Sequence, residues 1–311
     1  MLTAIVTGAN GFVGSAIVQN LLRNNYRVFA LYNNSAERLK VLPNCIPIKC
    51  SMEQYQNLPS LVAEKVDYLF HCAWKGSAGK DRCDIALQNE NVLYSTEVIK
   101  AASALGVKRV IIAGSIMEDE VIAVTERNGA TPSMGYIYGA AKYSAHMLCK
   151  ILAVSLGVEL VWGKITNAYG VGERSPRMLN TTITKCILKE APTFTAATQN
   201  YDFVYIDDVA EAFRLLAERG RNYFQYTIGG GNARPLKAFL EELRMTIGGD
   251  LPFKYGDIPF TGVNLPLEKF AITDLMIDTG FKPKVSFSEG VRFTHDWLEQ
   301  NLKEKKNDSK I

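Results

Sequence analysis

The stretch Ala4-Ile5-Val6-Thr7-Gly8-Ala9-Asn10-Gly11-Phe12-Val13-Gly14 starts as a short apolar run and passes through three glycines into an amphipathic segment. Ala4 to Val6 reads as a buried strand, and Phe12 to Arg23 as a helix that ends at Asn24-Asn25. Gly8 permits the tight turn between them, Gly11 lets a backbone approach a pyrophosphate, and Gly14 lets the helix pack close to the sheet. The start of such a helix presents unpaired N–H groups and a positive dipole end to an anion. A glycine triad by itself also suits a purely structural turn. Its place as the first strand-to-helix turn of the chain is what makes it a dinucleotide loop.

The same rhythm continues outward from that loop. Arg27 to Tyr32, Ile46 to Ile48, Val66 to Phe70, Arg109 to Ala113 and Glu159 to Trp162 are short apolar runs that read as strands. Helical segments near 85 to 105, stopping at Gly106, and from Pro132–Tyr136 to Gly157 lie between the later ones. Short buried strands separated by helices imply a parallel sheet covered on both faces, with right-handed crossovers. The expected fold is therefore α/β, a doubly wound (Rossmann) parallel sheet, with residues 1–164 as the dinucleotide-binding domain. After Lys164 loops rich in Gly, Pro, Thr and Asn predominate, and 165–311 is expected to form mainly a smaller substrate-binding cap. Phe203 to Ile206 and Tyr226 to Ile228 are expected to rejoin the main sheet, so that 203–228 belongs with it.

Composition narrows the class. The chain has 311 residues, 47% of them apolar, enough for a sizeable core. The net charge of +3 is scattered, which points away from nucleic acid and from an anionic membrane surface. The mixed-sign run from Lys303 to Lys310 reads as a solvated tail. No apolar stretch reaches the ~18 residues of a membrane span, and a first strand beginning near Leu2 leaves no signal peptide. Six cysteines without a CxxC pair and three dispersed histidines offer no metal site. A cytoplasmic protein with reduced thiols is expected.

The residues after the second strand bear on which dinucleotide fits. An Asp or Glu about 20 residues past the glycines binds the adenosine ribose of NAD, but here the stretch is Tyr32-Asn33-Asn34-Ser35-Ala36-Glu37-Arg38. Asn33, Asn34 and Ser35 can donate to a 2′-phosphate, and Arg38 can pair with it. NADP(H) is favoured, with NAD open.

Tyr138-Gly139-Ala140-Ala141-Lys142 puts a phenol and an ammonium on one helix face. A nearby cation favours the phenolate and brings its pKa toward a working range. Ser115, just past the strand Arg109 to Ala113, falls at the sheet's carboxyl edge, where its hydroxyl can hold an oxygen that Tyr138 protonates.

With these features the chain resembles the extended short-chain dehydrogenase/reductases, in particular their nucleotide-sugar epimerase, dehydratase and ketoreductase group. The resemblance also rests on His71-Cys72-Ala73, Asn91-Val92, Asn167-Ala168-Tyr169-Gly170-Val171-Gly172, the block Tyr201 to Ala210, Tyr226 to Gly231, and Gly290 to Trp297. It implies Ser115 polarising a sugar oxygen, Tyr138 exchanging its proton, and Lys142 binding the nicotinamide ribose. It further implies cofactor contacts from Gly8, Asn10, Gly11, Phe12 and Val13, from Ser51 and Met52 at the adenine, and from Ala73, Trp74, Asn91 and Ile165. Asn167 would face the substrate diphosphate, and a homodimer would form through the helices near 85–105 and 135–156.

Departures from the group's pattern narrow the reaction. Sugar 4,6-dehydratases carry Asp-Glu directly after the catalytic hydroxyl residue, where this chain has Ile116-Met117. The Cys that GDP-fucose synthases use is Met117 here, and Glu118 lies one place too far. What remains is hydride transfer at C4: reduction of a nucleotide-linked 4-keto-6-deoxysugar, or 4-epimerisation with retained NAD. The Arg that grips a diphosphate in the group is Tyr201 here, and the later Arg-Pro-Gly-Asp type of segment reads Lys254-Tyr255-Gly256-Asp257. Arg174, or Lys75, Lys80 and Arg82, are the substitutes. Reduction of a non-sugar carbonyl and a non-catalytic dinucleotide sensor are the remaining readings.

Overall fold

The computed structural model describes residues 1–39, 43–126 and 131–308. Its centre is a seven-stranded sheet of β1 (Thr3–Thr7), β2 (Arg27–Tyr32), β3 (Cys45–Lys49), β4 (Tyr68–His71), β5 (Arg109–Ser115), β6 (Glu159–Ile165) and β7 (Phe224–Ile228). The spatial order is β7-β6-β5-β4-β1-β2-β3, and every neighbouring pair is parallel. The direction of progression reverses between β1 and β4, the place where open parallel sheets bind ligands.

The central strands β1, β4, β5 and β6 are largely apolar and buried because both faces are covered, whereas the edge strand β3 is part-exposed. Ala4 and Val6, Ile111 and Val161 point into a core shared with α1 (Phe12–Arg23) and α6 (Ile206–Arg219). Ile5, Val110, Ile112, Leu160 and Trp162 point the other way, toward α2 (Ile85–Ala104) and α4 (Ile137–Leu156). Side chains alternate along a strand, so each face takes every second residue. Leu21 of α1 has no exposed surface, and truncating such a side chain to Ala costs about 2–5 kcal/mol.

Two elements differ from the sequence-based expectation. Phe224–Ile228 joins the sheet as β7 beside β6, but Phe203–Tyr205 pairs with Asn167–Tyr169 in a separate two-stranded sheet. The edge of β6 is already taken by β7, and Phe203 is drawn into an aromatic cluster with Tyr169, Phe239 and Phe287. The charged C-terminal run expected as a tail continues a helix, Phe287–Asp308, and 309–311 lie outside the described residues. The helix α3 (Met117–Thr125), directly after β5, was not announced by the sequence, whereas α5 (Met178–Ile187) falls between two of the loops after Lys164.

Candidate active site

A cleft of about 600 Å³ opens at the carboxyl edge over the switch point. Its floor is the glycine loop. Gly8 has φ +64°, and a Cβ there would lie 2.7 Å from the Ala73 nitrogen, so a side chain is barred by backbone and by space. A Cβ on Gly14 would run into the Gly8 carbonyl, with the Gly8 carbon 2.8 Å away, because the first turn of α1 packs directly on the loop. No side chain caps α1 and its first turn holds no acid. Its free N–H groups and positive end therefore face the cleft, a fit for a pyrophosphate.

At one end of the cleft lie Asn33, Asn34, Ser35 and Arg38. The Arg38 backbone N–H donates to Asn10 Oδ1 (2.8 Å), which ties the turn after β2 to the glycine loop. Its Nη2 donates to the Gly172 carbonyl (2.6 Å). Burial, and then the neighbouring Arg174 guanidinium, lower the Arg38 pKa. Two guanidiniums thus stand side by side here, with Glu37 paired to Arg174 at 3.4 Å.

At the other end Ser115 is the last residue of β5 and Tyr138 the second of α4. The Ser115 N–H donates to Glu118 Oε1 (2.8 Å), and its Oγ accepts from the Met117 N–H (3.3 Å) and is one of the groups that lower the Tyr138 pKa. Glu118 is buried and also takes Trp162 Nε1 (3.1 Å), while its Oε2 meets His146 Nδ1 (3.2 Å). Gly114 is required beside them, since a Cβ would lie 2.7 Å from Glu118 Oε1. Lys142, one turn after Tyr138, is buried, donates to the Ala113 carbonyl (2.8 Å) and lies 3.7 Å over the Trp74 ring. Burial pushes its pKa down to about 8, against the pull of Glu118.

Burial raises the Tyr138 phenol above its ordinary 10, and the groups that draw it back are Arg82, Arg177 and the Ser115 bond. The cation over the Tyr138 ring is Arg82, 4.6 Å from the centroid. Lys142 instead takes the face of Trp74, whose ring meets Tyr138 edge-on at 6.0 Å.

Of the expected cofactor contacts, Gly8, Asn10, Gly11, Phe12, Val13, Asn33, Asn34 and Arg38 line the cleft, as do Met52, Ala73, Trp74, Tyr138, Lys142 and Ile165. Ser51 and Asn91 do not. Ser51 caps the turn Met52–Asn57 with Gln54. Asn91 is fully buried in α2 and holds the loop after β4, accepting from Lys75 N (2.8 Å) and donating to Lys75 O (2.9 Å). Among the substrate candidates Ser115, Arg174 and Lys75 line the cleft. Lys75 is engaged by Glu53 and Glu90, and Lys80 is exposed. Asn167 turns away to donate to the Asp202 carbonyl (3.0 Å), a bond that joins the two strands of the small sheet. Arg82 is spent on Tyr138 and the Met117 sulfur, not on the cleft mouth.

Sequence reasoning missed Tyr55, Thr166, Ser175 and Arg177, all of which line the cleft. Arg177 carried a usable signal, following closely on the Gly170-Val171-Gly172 turn. Among the described residues no group of His, Cys, Asp and Glu is arranged to hold a metal ion, and no helix is long and apolar enough to cross a membrane.

The model of the NAD dependent epimerase/dehydratase family matches residues 4–229. The chain is similar to the CDP-abequose synthase of Salmonella muenchen, 24% identical over 299 residues that cover 93% of this chain and 95% of that one. In three dimensions it is similar to the UDP-glucose 4-epimerase of Thermotoga maritima, solved with UDP-glucose, at a TM-score of 0.80 and 22% identity, covering 97% of this chain and 100% of that one. The UDP-N-acetylglucosamine 4-epimerase of Methanobrevibacter ruminantium also gives 0.80, at 23% identity over 96% of this chain and 99% of that one.

Proposed function

The chain belongs to the NAD dependent epimerase/dehydratase family, and on that premise we propose that it reduces the C4 keto group of a nucleotide-linked 4-keto-6-deoxysugar, with NADPH as the reductant. The observation that carries this reading is what surrounds the Ser115–Tyr138 pair. Ile116 is buried in a small apolar cluster with Leu265 and Phe270, and Met117 offers only a thioether. Glu118 is fixed by the Ser115 N–H, Trp162 and His146. Glu118 and His146, the acid–base pair nearest Ser115 among the described residues, are bonded to each other, and Glu118 also to Trp162, so the site suits hydride transfer at one carbon.

The residues would divide the work as follows. The α1 N-terminus and the Gly8–Gly11 turn hold the dinucleotide pyrophosphate, and Asn33, Asn34 and Arg38 the adenosine end. A bound reduced nicotinamide supplies the hydride. Ser115 donates toward the carbonyl oxygen, and Tyr138 gives that oxygen its proton. Lys142, fixed by the Ala113 carbonyl, faces the cleft as a fixed cation for the nicotinamide ribose. The test is a panel of 4-keto nucleotide sugars, each followed by NADPH absorbance. Oxidation on none of them would remove this reading.

A 4-epimerase that retains NAD is favoured by a different observation, the names of the structural relatives. Absorbance of the purified protein separates the two. Retained nucleotide points to the epimerase, and an empty protein to the reductase. We also carry forward the homodimer as a proposal: α2 and α4 pack together and expose Leu93 and, at helical spacing, Leu148 and Ile151.

A further inference from the structure

We propose that Glu118 is a positioning residue for the reaction, the buried carboxylate that ties the turn after Ser115 to the helix of Tyr138 and Lys142 by way of His146. The inference rests on Ser115, Tyr138 and Lys142 carrying the roles proposed for them, and it adds a residue that acts through all three.

The tie follows from spacing on two elements. Tyr138, Lys142 and His146 stand four residues apart on α4 and so share one face. Glu118 lies in the first turn of α3, three residues after Ser115, which brings its side chain back under the end of β5. Its Oε1 accepts from the Ser115 N–H (2.8 Å) and from Trp162 Nε1 (3.1 Å), and its Oε2 meets His146 Nδ1 at 3.2 Å. His146 in turn stacks on the Trp162 ring, with centroids 4.4 Å apart and planes within 7° of parallel. Two glycines make room for this arrangement. A Cβ on Gly114 would lie 2.7 Å from Glu118 Oε1, and one on Gly139 would lie 2.8 Å from Val121 Cγ2, where α3 packs on α4 beside Tyr138. Glu118 is 2% exposed, so its oxygens depend on these partners and not on water.

One end of the tie sets Ser115. With its N–H held by Glu118 and its Oγ accepting the Met117 N–H, the Ser115 hydroxyl keeps its own proton for an oxygen in the cleft. The other end acts on Lys142. Burial lowers the Lys142 pKa to about 8, and Glu118 is the largest of the influences that raise it. The other titratable groups around that ammonium are His71 at the end of β4, Cys72 just after it, and Tyr138 and Cys149 on α4. Burial pushes both thiols up to about 12, the His71 imidazole down to about 3, and the phenol above its ordinary 10. All four are therefore neutral near pH 7, and Glu118 is the charge among them that keeps Lys142 an ammonium. The same carboxylate adds to burial in holding the proton on Tyr138. Glu118 thus favours the state from which reduction starts, with the proton on the phenol and the charge on the lysine.

The experiment separates the charge of Glu118 from its reach. Protein labelled with ¹³Cε-lysine is titrated by NMR without substrate, the Lys142 signal being assigned by its loss in Lys142→Met. Glu118→Gln keeps an oxygen for Ser115 and Trp162 but carries no charge, and should lower the Lys142 midpoint by about one pH unit. Glu118→Asp keeps the charge but falls short of its partners, and should return the midpoint toward the wild-type value, a rescue that a merely structural role would not give. Turnover is compared at about pH 6, where Lys142 is charged in every variant. There Glu118→Asp should lower kcat on the order of a hundredfold with KM little changed, and Glu118→Gln should lower it much less. His146→Phe keeps a ring on Trp162 and removes only the bond to Oε2, so it should lower kcat in the same way. A Lys142 midpoint shared by wild type and folded Glu118→Gln overturns the proposal, and so does wild-type kcat in both Glu118→Asp and His146→Phe. If the midpoint moves as stated while the wild type reduces no 4-keto sugar, the action of Glu118 on Lys142 holds and the reductase reading falls.

Discussion

Arg38 and Gly172 are joined across the mouth of the cleft, Nη2 of the arginine donating to the glycine carbonyl at 2.6 Å. That bond couples the turn after β2 to the loop that carries Arg174 and Arg177, so the two ends of the cleft share one clasp. It occupies one N–H of Arg38 and leaves the rest of the fork for an anion beside Asn33.

Cofactor choice follows from that arrangement. A charge-assisted hydrogen bond to a 2′-phosphate is worth about 1.5–3 kcal/mol, or roughly ten- to a hundredfold in affinity. NADPH should therefore bind at least about tenfold tighter than NADH. Arg38→Ala should erase most of the difference, and Asn33→Asp should invert it by placing an acid against the phosphate. Calorimetric titration with both nucleotides decides. Equal affinities in the wild type would leave the epimerase as the better reading.

Tyr138→Phe should cut turnover by orders of magnitude while NADPH affinity stays nearly unchanged, because the phenol hydroxyl is proposed to serve the substrate oxygen and not the nucleotide. Steady-state kinetics with the reducible sugar, beside nucleotide titration, checks both halves. Wild-type turnover in this variant would remove Tyr138 from the reaction.

An NDP-hexose offered with NAD should yield no 4-keto-6-deoxy product. Ile116 is 4% exposed, and the Glu118 carboxylate is held by three partners, the Ser115 N–H, His146 and Trp162. Detection of that product by mass spectrometry would mean that Glu118 leaves its partners during the reaction.

How much of this was legible in the sequence depends on how local the cause is. The turn from β1 into α1 is dictated by Gly8, Gly11 and Gly14 within eight residues, and the helix Phe12–Arg23 agrees with its expected ends. The placing of Phe203–Tyr205 is different, because β7 holds the slot beside β6 and only the three-dimensional competition decides it. Arg82 looked like a phosphate contact for the same reason. Its direction is set by Gln88 bonding the Asp81 carbonyl, and no spacing rule announces that bond. Lys142 had the right helical spacing from Tyr138, yet its ammonium went to Ala113 and Trp74, partners on other elements.

If two copies join through α2 and α4, Ile151, 67% exposed in the isolated chain, is buried in the pair. Light scattering after size exclusion should give twice the monomer mass for the wild type. Ile151→Glu should return the monomer, since an unpaired carboxylate cannot be buried cheaply in an apolar interface. A wild-type monomer at tens of micromolar would dismiss the dimer.

Glu120, in the first turn of α3, gives the fold a pH dependence of its own. Burial pushes its carboxyl from the ordinary 4.5 up to about 7, with Arg82 pulling down and Asp119 pushing up. A carboxyl whose pKa is higher folded than unfolded binds protons more tightly in the native state. Its stabilising contribution is therefore complete below about 4.5 and is lost as pH rises through about 7. Glu120→Gln mimics the neutral form and should match the wild-type Tm near pH 4, then exceed it by a few degrees above pH 8. The gain corresponds to about 1–2 kcal/mol after solvent screening of a partly accessible group is allowed for. Removing Arg82 leaves the ionised Glu120 with less compensation, so in an Arg82→Met background the same substitution should gain more. Thermal unfolding of the four proteins across pH 4 to 9 reads both effects at once. A pH-independent difference between Glu120 and Gln would show that the carboxyl ionises alike in the folded and unfolded chain.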